Sequence, residues 1–258
     1  MNNKPKILVF DIETRPIMGY VWRLWDQNLG LNMVESDWSI MSYSAKWLGE
    51  DTIEYADNRG KGEDDTELVC RLWALLDEAD YVIAHNARKF DVPKVNARFI
   101  QLGMLPCSPY RIIDTLQIAK SRFNFTSNKL EYLADALGCS PKLKHQKFAG
   151  FELWKECMDE NNEAWEEMKE YNIQDSATLE EVFFKLRPWM SNQMNHNLFI
   201  EDDDAEPVCQ VCGSEHLHKR GFSYTAGSKF QRFRCTECGG WSRSTKSEAR
   251  SKITGITI

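Results

Sequence analysis

Long apolar runs are missing from this chain, and none approaches the roughly 18 residues of a membrane-spanning helix. The opening residues, Met1-Asn2-Asn3-Lys4-Pro5-Lys6, lead straight into a strand-like segment without the apolar centre of a secretory leader. These absences point to a soluble, cytoplasmic protein whose cysteines stay mostly reduced. No internal repeat is present. Positive charge is also short: the net charge is −7, which by itself argues against a polyanionic partner. The deficit is uneven, however. From residue 205 onward nine Lys/Arg face four Asp/Glu, so an acidic body carries a basic end. What the chain does have is 42% apolar residues over 258 positions, enough for one large domain with a small appendage.

Ile7 to Phe10 reads as a buried strand that delivers Asp11 and Glu13 at its end. Thr14 to Asp37 is irregular and rich in aromatics (Tyr20, Trp22, Trp25), suited to lining a cleft or to covering a sheet. Trp38 to Trp47 and Thr52 to Tyr55 read as two further strands of a meander. Asp64 to Ala79 is a helix capped by Asp64-Asp65-Thr66, with Leu68, Leu72, Leu75 and Leu76 as its apolar stripe. Tyr81 to His85 and Arg111 to Ile113 are short strands, with Asp114 capping the helix that begins at Thr115. Val92 to Leu102, Asn128 to Leu137, Gly150 to Met158 and Asn162 to Trp189 are the remaining helices. Strands that give way to alternating strands and helices make an α/β or α+β layer fold with a mixed sheet. An acidic linker at 201–207 separates a first domain (1–200) from a cysteine-bearing module (208–245) and a tail (246–258).

Residues i and i+2 of a strand share a face, so Asp11 and Glu13 stand side by side. Alone, such a pair suits either a solvated acidic turn or a cation site. Asn86 and Asp91 follow the strand that ends at His85. Tyr171 and Asp175, four residues apart, lie on one helix face, where a phenol hydrogen-bonded to a solvated carboxylate is the plain reading.

Taken together, the order Asp11-x-Glu13, Asn86-x4-Asp91, Tyr171-x3-Asp175 resembles the DEDDy group of 3′–5′ exonucleases. It is most similar to the proofreading domain of family-B DNA polymerases, over roughly residues 5 to 190. The resemblance implies a ribonuclease H-like mixed sheet flanked by helices, with four carboxylates converging at one sheet edge. It implies two divalent ions about 3.5–4 Å apart, which activate water, neutralise the phosphate and stabilise the leaving 3′ oxygen. Oxygen ligands with few nitrogens favour Mg²⁺ or Mn²⁺. By the same resemblance Asp11 bridges the ions, Glu13 and Asp175 complete the water-activating site, and Asp91 holds the second ion. Tyr171 orients the attacking water, Thr14 and Asn86 touch the terminal nucleotide, and Phe90 packs beneath the site or stacks on a base. His85 reads as a strand-end neighbour and Asp114 as a cap. Lys129 suits either the nucleic-acid backbone or a solvated helix start.

Cys209-x2-Cys212 and Cys235-x2-Cys238 form two knuckles, each followed by glycine, with the spacing of a four-thiolate zinc site. Gly221 to Tyr224 and Phe230 to Arg234 supply a hairpin between them, as in a zinc ribbon. His216 and His218 are spare donors, while Cys70, Cys107, Cys139 and Cys157 read as ordinary thiols. Lys219, Arg220, Lys229, Arg232, Arg234 and Arg243 alternate with Phe222, Tyr224, Phe230, Phe233 and Trp241, a mixture suited to a nucleic-acid strand or to protein docking.

The expectation is a metal-dependent 3′–5′ exonuclease on DNA with a free 3′ end, whose zinc ribbon holds substrate. The chain leaves no room for a polymerase palm and thumb, so proofreading would act in trans, beside a polymerase or other replication protein. A 3′–5′ exoribonuclease of the same group and a catalytically silent polymerase-accessory subunit are the alternatives.

Overall fold

One strand alternates so strictly that it sets both layers of the first domain. In β1 (Ile7–Thr14), Leu8, Phe10 and Ile12 pack into one core while Ile7 and Val9 pack into another. In this computed structural model, which describes residues 4–140, 147–191, 193–202 and 206–252, β1 runs on past the predicted Phe10 to Thr14. The centre of the expected acidic linker (203–205) and the last tail residues (253–258) lie outside the described residues.

The chain then forms a small hairpin, β2 (Met18–Gly19) with β3 (Val34–Ser36), before returning as β4 (Ile40–Trp47) and β5 (Glu54–Asp57). Helix α1 (Thr66–Glu78), β6 (Tyr81–Ala84), α2 (Asp91–Gln101), β7 (Arg111–Asp114) and α3 (Thr115–Arg122) follow. Three more helices, α4 (Leu130–Ala136), α5 (Phe151–Met158) and α6 (Asn162–Leu186), complete the first domain. The sheet order is β5-β4-β1-β6-β7, antiparallel from β5 to β1 and parallel from β1 to β7. This is the ribonuclease H-like mixed sheet. Leu68, Leu72 and Leu76 of α1 with Val95 and Phe99 of α2 cover the Leu8 face. Ile118, Leu133, Leu179, Val182 and Phe183 of α3, α4 and α6 cover the Ile7 face. Each fully buried side chain of this kind stabilises the fold by about 1.5–3 kcal/mol.

Three details depart from the sequence reading. The aromatics of the Thr14–Asp37 segment do not cover the sheet: Tyr20, Trp22 and Trp25 are 67%, 93% and 80% exposed, and none lines the cleft that holds Asp11 and Glu13. The segment closes on itself instead, Tyr20 N–H donating to the Met33 carbonyl at 2.8 Å. The long helix stops at Leu186, and Arg187–Trp189 tightens into a 3₁₀ turn where Pro188 lacks the amide a further α-turn needs. Within the expected Asp64-Asp65-Thr66 cap, Asp64 Oδ1 accepts from Thr66 N–H at 3.0 Å, whereas Asp65 makes no side-chain cap for α1. Its buried carboxylate accepts from Arg98 Nε and Nη2 at 2.8 and 2.5 Å and from Ile40 N–H at 2.8 Å, so it joins α1, α2 and the start of β4.

The C-terminal module is a four-stranded sheet of β8 (Leu217–Tyr224), β9 (Ser228–Cys235), β10 (Trp241–Arg243) and β11 (Ala249–Arg250), with β9 paired to all three others. A 3₁₀ turn, His196–Phe199, joins it to the first domain. Asn197 bonds both the amide and the carbonyl of Val208 at 2.9 and 2.8 Å, and His196 N–H donates to Gln210 O at 3.1 Å. On the other side, Asn195 N–H donates to the Tyr81 hydroxyl at 3.2 Å.

Removing the Asp65 carboxylate leaves a half-buried guanidinium and the buried Ile40 amide without their acceptor. Asp65→Ala is expected to cost about 3–5 kcal/mol, read as a lower urea midpoint with an unchanged m-value.

Candidate active site

The odd-numbered face of β1 reads Ile7, Val9, Asp11, Glu13, so it turns from apolar to acidic along its length. The inner face of α6 makes the same change in reverse: Leu186, Phe183, Val182 and Leu179 are core, and Asp175 and Tyr171 come next toward its N-terminus. Parallel pairing of β1 with β6 ends at Val9↔Ile83, which leaves the acidic end of β1 bordered by β4 alone, at Asp11↔Ser44 and Glu13↔Ser42. A register shift between Glu13 and Thr14 re-aims the chain as it leaves the sheet.

Asp11, Glu13 and Asp175 each bring one carboxylate oxygen within 4.8 Å of the others. An all-oxygen cluster this tight fits a hard divalent cation. Burial, then the charges of Asp175, Glu13 and Asp11, push the Tyr171 phenol far above its ordinary value. Tyr171 is therefore a neutral hydrogen-bond donor, bonded to Asp175 and set edge-on to Trp154 at 6.0 Å between ring centres. These four residues line a cleft of about 660 Å³ with Asn86, Phe90 and His85 on one wall and Lys120, Asn128 and Lys129 on another.

Asp91 and Thr14 do not line that cleft. Asp91 opens α2 almost fully buried, bonded to its own N–H and that of Ile12. Its Oδ2 is buried without a hydrogen-bond partner. Burial, with a smaller push from Asp114, moves its carboxyl up to about 7. Asn86 adopts a left-handed backbone at φ 77, which asparagine tolerates better than most side chains. Asp114 holds that turn, accepting from Asn86 N–H and Arg88 N–H at 3.1 Å, and caps α3 through Gln117 N–H at 3.2 Å. Phe90 packs at the edge of the α1/α2 core while showing one side to the cleft. His85 joins two walls, Nδ1 to Thr115 Oγ1 and Nε2 to the Asn128 carbonyl, both at 2.9 Å.

Sequence reasoning missed Asn172. Its Nδ2 donates to Asp11 Oδ2 at 2.8 Å, and its own Oδ1 accepts from Ser42 Oγ at 3.3 Å. Ser44 Oγ donates to the Asn172 carbonyl at 2.7 Å and lies 2.6 Å from Ser176 Oγ. Two turns on, Lys46 and Glu180 pair at 2.5 Å in a buried position. This polar seam between β4 and α6 orients Asp11. The alternating Ser42-x-Ser44-x-Lys46, set against Asn172, Ser176 and Glu180 at helical spacing, was the available signal.

The four knuckle cysteines also converge, their sulfurs within 4.8 Å of one another. Cys209–Cys238 and Cys212–Cys235 are 3.6 and 3.7 Å apart. A tetrahedron of about 2.3 Å Zn–S bonds has edges of about 3.8 Å, so the cage fits zinc. Gly213 and Gly239, at φ 73 and 75, close the turns by donating to Cys209 O and Cys235 O at 2.8 and 3.2 Å. Gly240 N–H donates to Cys238 Sγ at 3.4 Å. His216 turns away to Glu237 at 2.9 Å and stays outside the cage, as does His218.

Residues 30–187 match a family described as RNase_H superfamily, and the chain belongs to that superfamily. The match begins after β1, so it takes in Asp91, Tyr171 and Asp175 but not Asp11 or Glu13. Among solved structures, the family B DNA polymerase from the hyperthermophilic archaeon Pyrobaculum calidifontis shares the fold at a TM-score of 0.55 and 16% sequence identity. The alignment covers 72% of this chain and 25% of that polymerase, so the chain spans about a quarter of the polymerase's length. No curated protein sequence matches. No helix among the described residues is long and apolar enough to cross a membrane.

Asn172→Ala frees Asp11 without removing a carboxylate, and is expected to weaken Mn²⁺ binding by about 10–100-fold in a calorimetric titration. Asp91 is protonated in the folded chain up to about pH 7 but ionises near pH 4 when unfolded. The folded state therefore holds the extra proton between those values. With chelator present, this group's contribution to stability falls as pH rises through that window. Denaturant titrations from pH 4 to 8 are expected to show a shallower decline in Asp91→Asn. Elemental analysis is expected to find one zinc per chain, and Cys235→Ser to lose it together with hydrogen-exchange protection in β8 and β9.

Proposed function

We propose that this chain is a metal-dependent 3′–5′ exonuclease acting on single-stranded or frayed DNA ends. The observation that carries the reading is the Asp11–Glu13–Asp175 cluster beside a neutral, buried Tyr171 in an open cleft. RNase H superfamily membership and a fold shared with a family B DNA polymerase support nuclease activity.

Asp11, Glu13 and Asp175 would hold Mg²⁺ or Mn²⁺, Asp11 would contribute to both of two ions, and the orphaned Asp91 oxygen would serve the second, directly or through water. Bound there, the ions supply water activation and charge neutralisation at the phosphate and the leaving 3′ oxygen. Tyr171 donates to the attacking water and orients it; a phenol raised above its usual range is no general base at neutral pH. Asn86 and Phe90 border the terminal nucleotide from the cleft wall, and Lys120 and Lys129 face its phosphates from the other side. Thr14, just past the acidic end of β1, contacts the strand as it leaves the cleft. Zinc holds the ribbon folded so that it grips the strand, and the chain works beside a polymerase or other replication protein.

On 5′-labelled single-stranded DNA with Mg²⁺ or Mn²⁺, a ladder shortening from the 3′ end is expected, with none in EDTA. Asp11→Ala and Asp175→Ala are each expected to lower the rate by at least about a thousandfold, and Tyr171→Phe by about 10–100-fold. Near-native turnover in either alanine variant would overturn the metal assignment.

A further inference from the structure

Cross-strand neighbours on a sheet avoid like charge, since two cations opposite one another destabilise the pair. The ribbon breaks that rule. Arg232 on β9 stands opposite Arg243 on β10, with Arg234 opposite Trp241 two pairs along. Strand alternation puts Phe230, Arg232 and Arg234 on the same face as Trp241 and Arg243. The guanidinium of Arg232 lies over the Trp241 ring at 4.6 Å, and that of Arg243 over the Phe230 ring at 4.1 Å. Stacking spreads the two charges apart and orders both planes, yet it cancels neither.

This face forms one wall of a groove of about 650 Å³. Met190, Ser191 and Asn195, from the end of the first domain, supply the other wall, and no carboxylate lines the groove among the described residues. The walls are held in register by the Asn197–Val208 and His196–Gln210 hydrogen bonds. Gly213 sits so close to His196 that an added Cβ would come within 2.9 Å of its Nδ1. Trp241 remains 44% exposed beside the groove. A pre-formed, acid-free groove with two ordered guanidinium planes and an accessible indole has the chemistry of a strand of phosphates and unpaired bases.

We propose that this junction groove is a second binding site, separate from the carboxylate cleft, that takes single-stranded DNA by pairing its phosphates with Arg232 and Arg243 and stacking a base on Trp241. The choice of DNA rests on the function proposed above; the binding itself does not.

The test uses the full-length, zinc-loaded chain carrying Asp11→Ala, which blocks cutting, and a fluorescent oligothymidylate of about 20 nucleotides, longer than a single groove of this kind occupies. Anisotropy is followed across a salt series. Adding Arg243→Gln or Arg232→Gln is expected to weaken binding and to lower the salt slope by about one. Adding Trp241→Leu is expected to weaken binding about tenfold with the slope unchanged. An oligomer bearing 5-bromodeoxyuridine is expected to photocrosslink to the Trp241 peptide. Native affinity and slope in all three variants, with zinc content retained, would overturn the site, as would crosslinks confined to the cleft. Equal binding of oligouridylate would overturn the assignment to DNA. Because no step requires turnover, a chain that cuts nothing still answers the question.

Discussion

Mutual repulsion among Asp11, Glu13 and Asp175 is the constraint on which the first domain is built. Like charges a few ångströms apart repel by roughly 4 kcal/mol at an effective dielectric near 20, so a fold that gathers three must hold each from behind. It does so by making the acidic positions continue apolar ones. Ile7 and Val9 anchor the β1 face that ends in Asp11 and Glu13, and Leu179, Val182 and Phe183 anchor the α6 face that reaches Asp175. The strand and helix pass out of the same core at the same level. The carboxylates are brought together by burial a few residues away rather than by any attraction of their own.

Around that frame, polar side chains fix orientation. The seam of Ser42, Ser44, Asn172 and Ser176 is satisfied within itself and leaves one donor, Asn172 Nδ2, for Asp11. Buried polar networks rigidify when every member is paired. On the opposite wall Asp114 organises the Asn86 turn and caps α3, while His85 ties β6 to the segment before α4. One carboxylate thus serves three backbone amides on that wall of the cleft.

The ribbon obeys a different constraint. Its described core is little more than Cys209, Val211 and Cys235, with Cys212, Leu217 and Cys238 packed against them. So small a cluster cannot offset the ordering of four strands, and a metal held by the four thiolates would contribute most of the folding free energy. That dependence frees the rest of the sheet. Aromatics and cations that a larger domain would bury or pair remain at the surface, where Arg232, Arg243 and Trp241 face the groove.

The sequence alone carried the strand–helix order, the spacing of Asp11, Glu13, Tyr171 and Asp175, and the paired knuckles, because periodicity and motif spacing are local properties of the chain. The end of the long helix, expected at Trp189 and found at Leu186, was legible to within a turn. Only the tertiary structure decided which partners those residues met. Asp65 looked like part of a cap and instead locks Arg98 to β4, since its fully buried carboxylate gains more from a guanidinium and the Ile40 amide than from a helix amide that water can serve. Asn172 looked like one more polar helix residue until α6 was laid across β4. Tyr20, Trp22 and Trp25 looked like cover for a sheet and stand in solvent, because their hairpin satisfies its own backbone apart from the sheet. Asp91 falls in its motif yet lies buried against the Ile12 amide, outside the cleft lining, where burial rather than sequence sets its proton affinity. Local pattern names the elements and the chemistry available; which side chains share a desolvated site depends on packing between segments far apart in the chain.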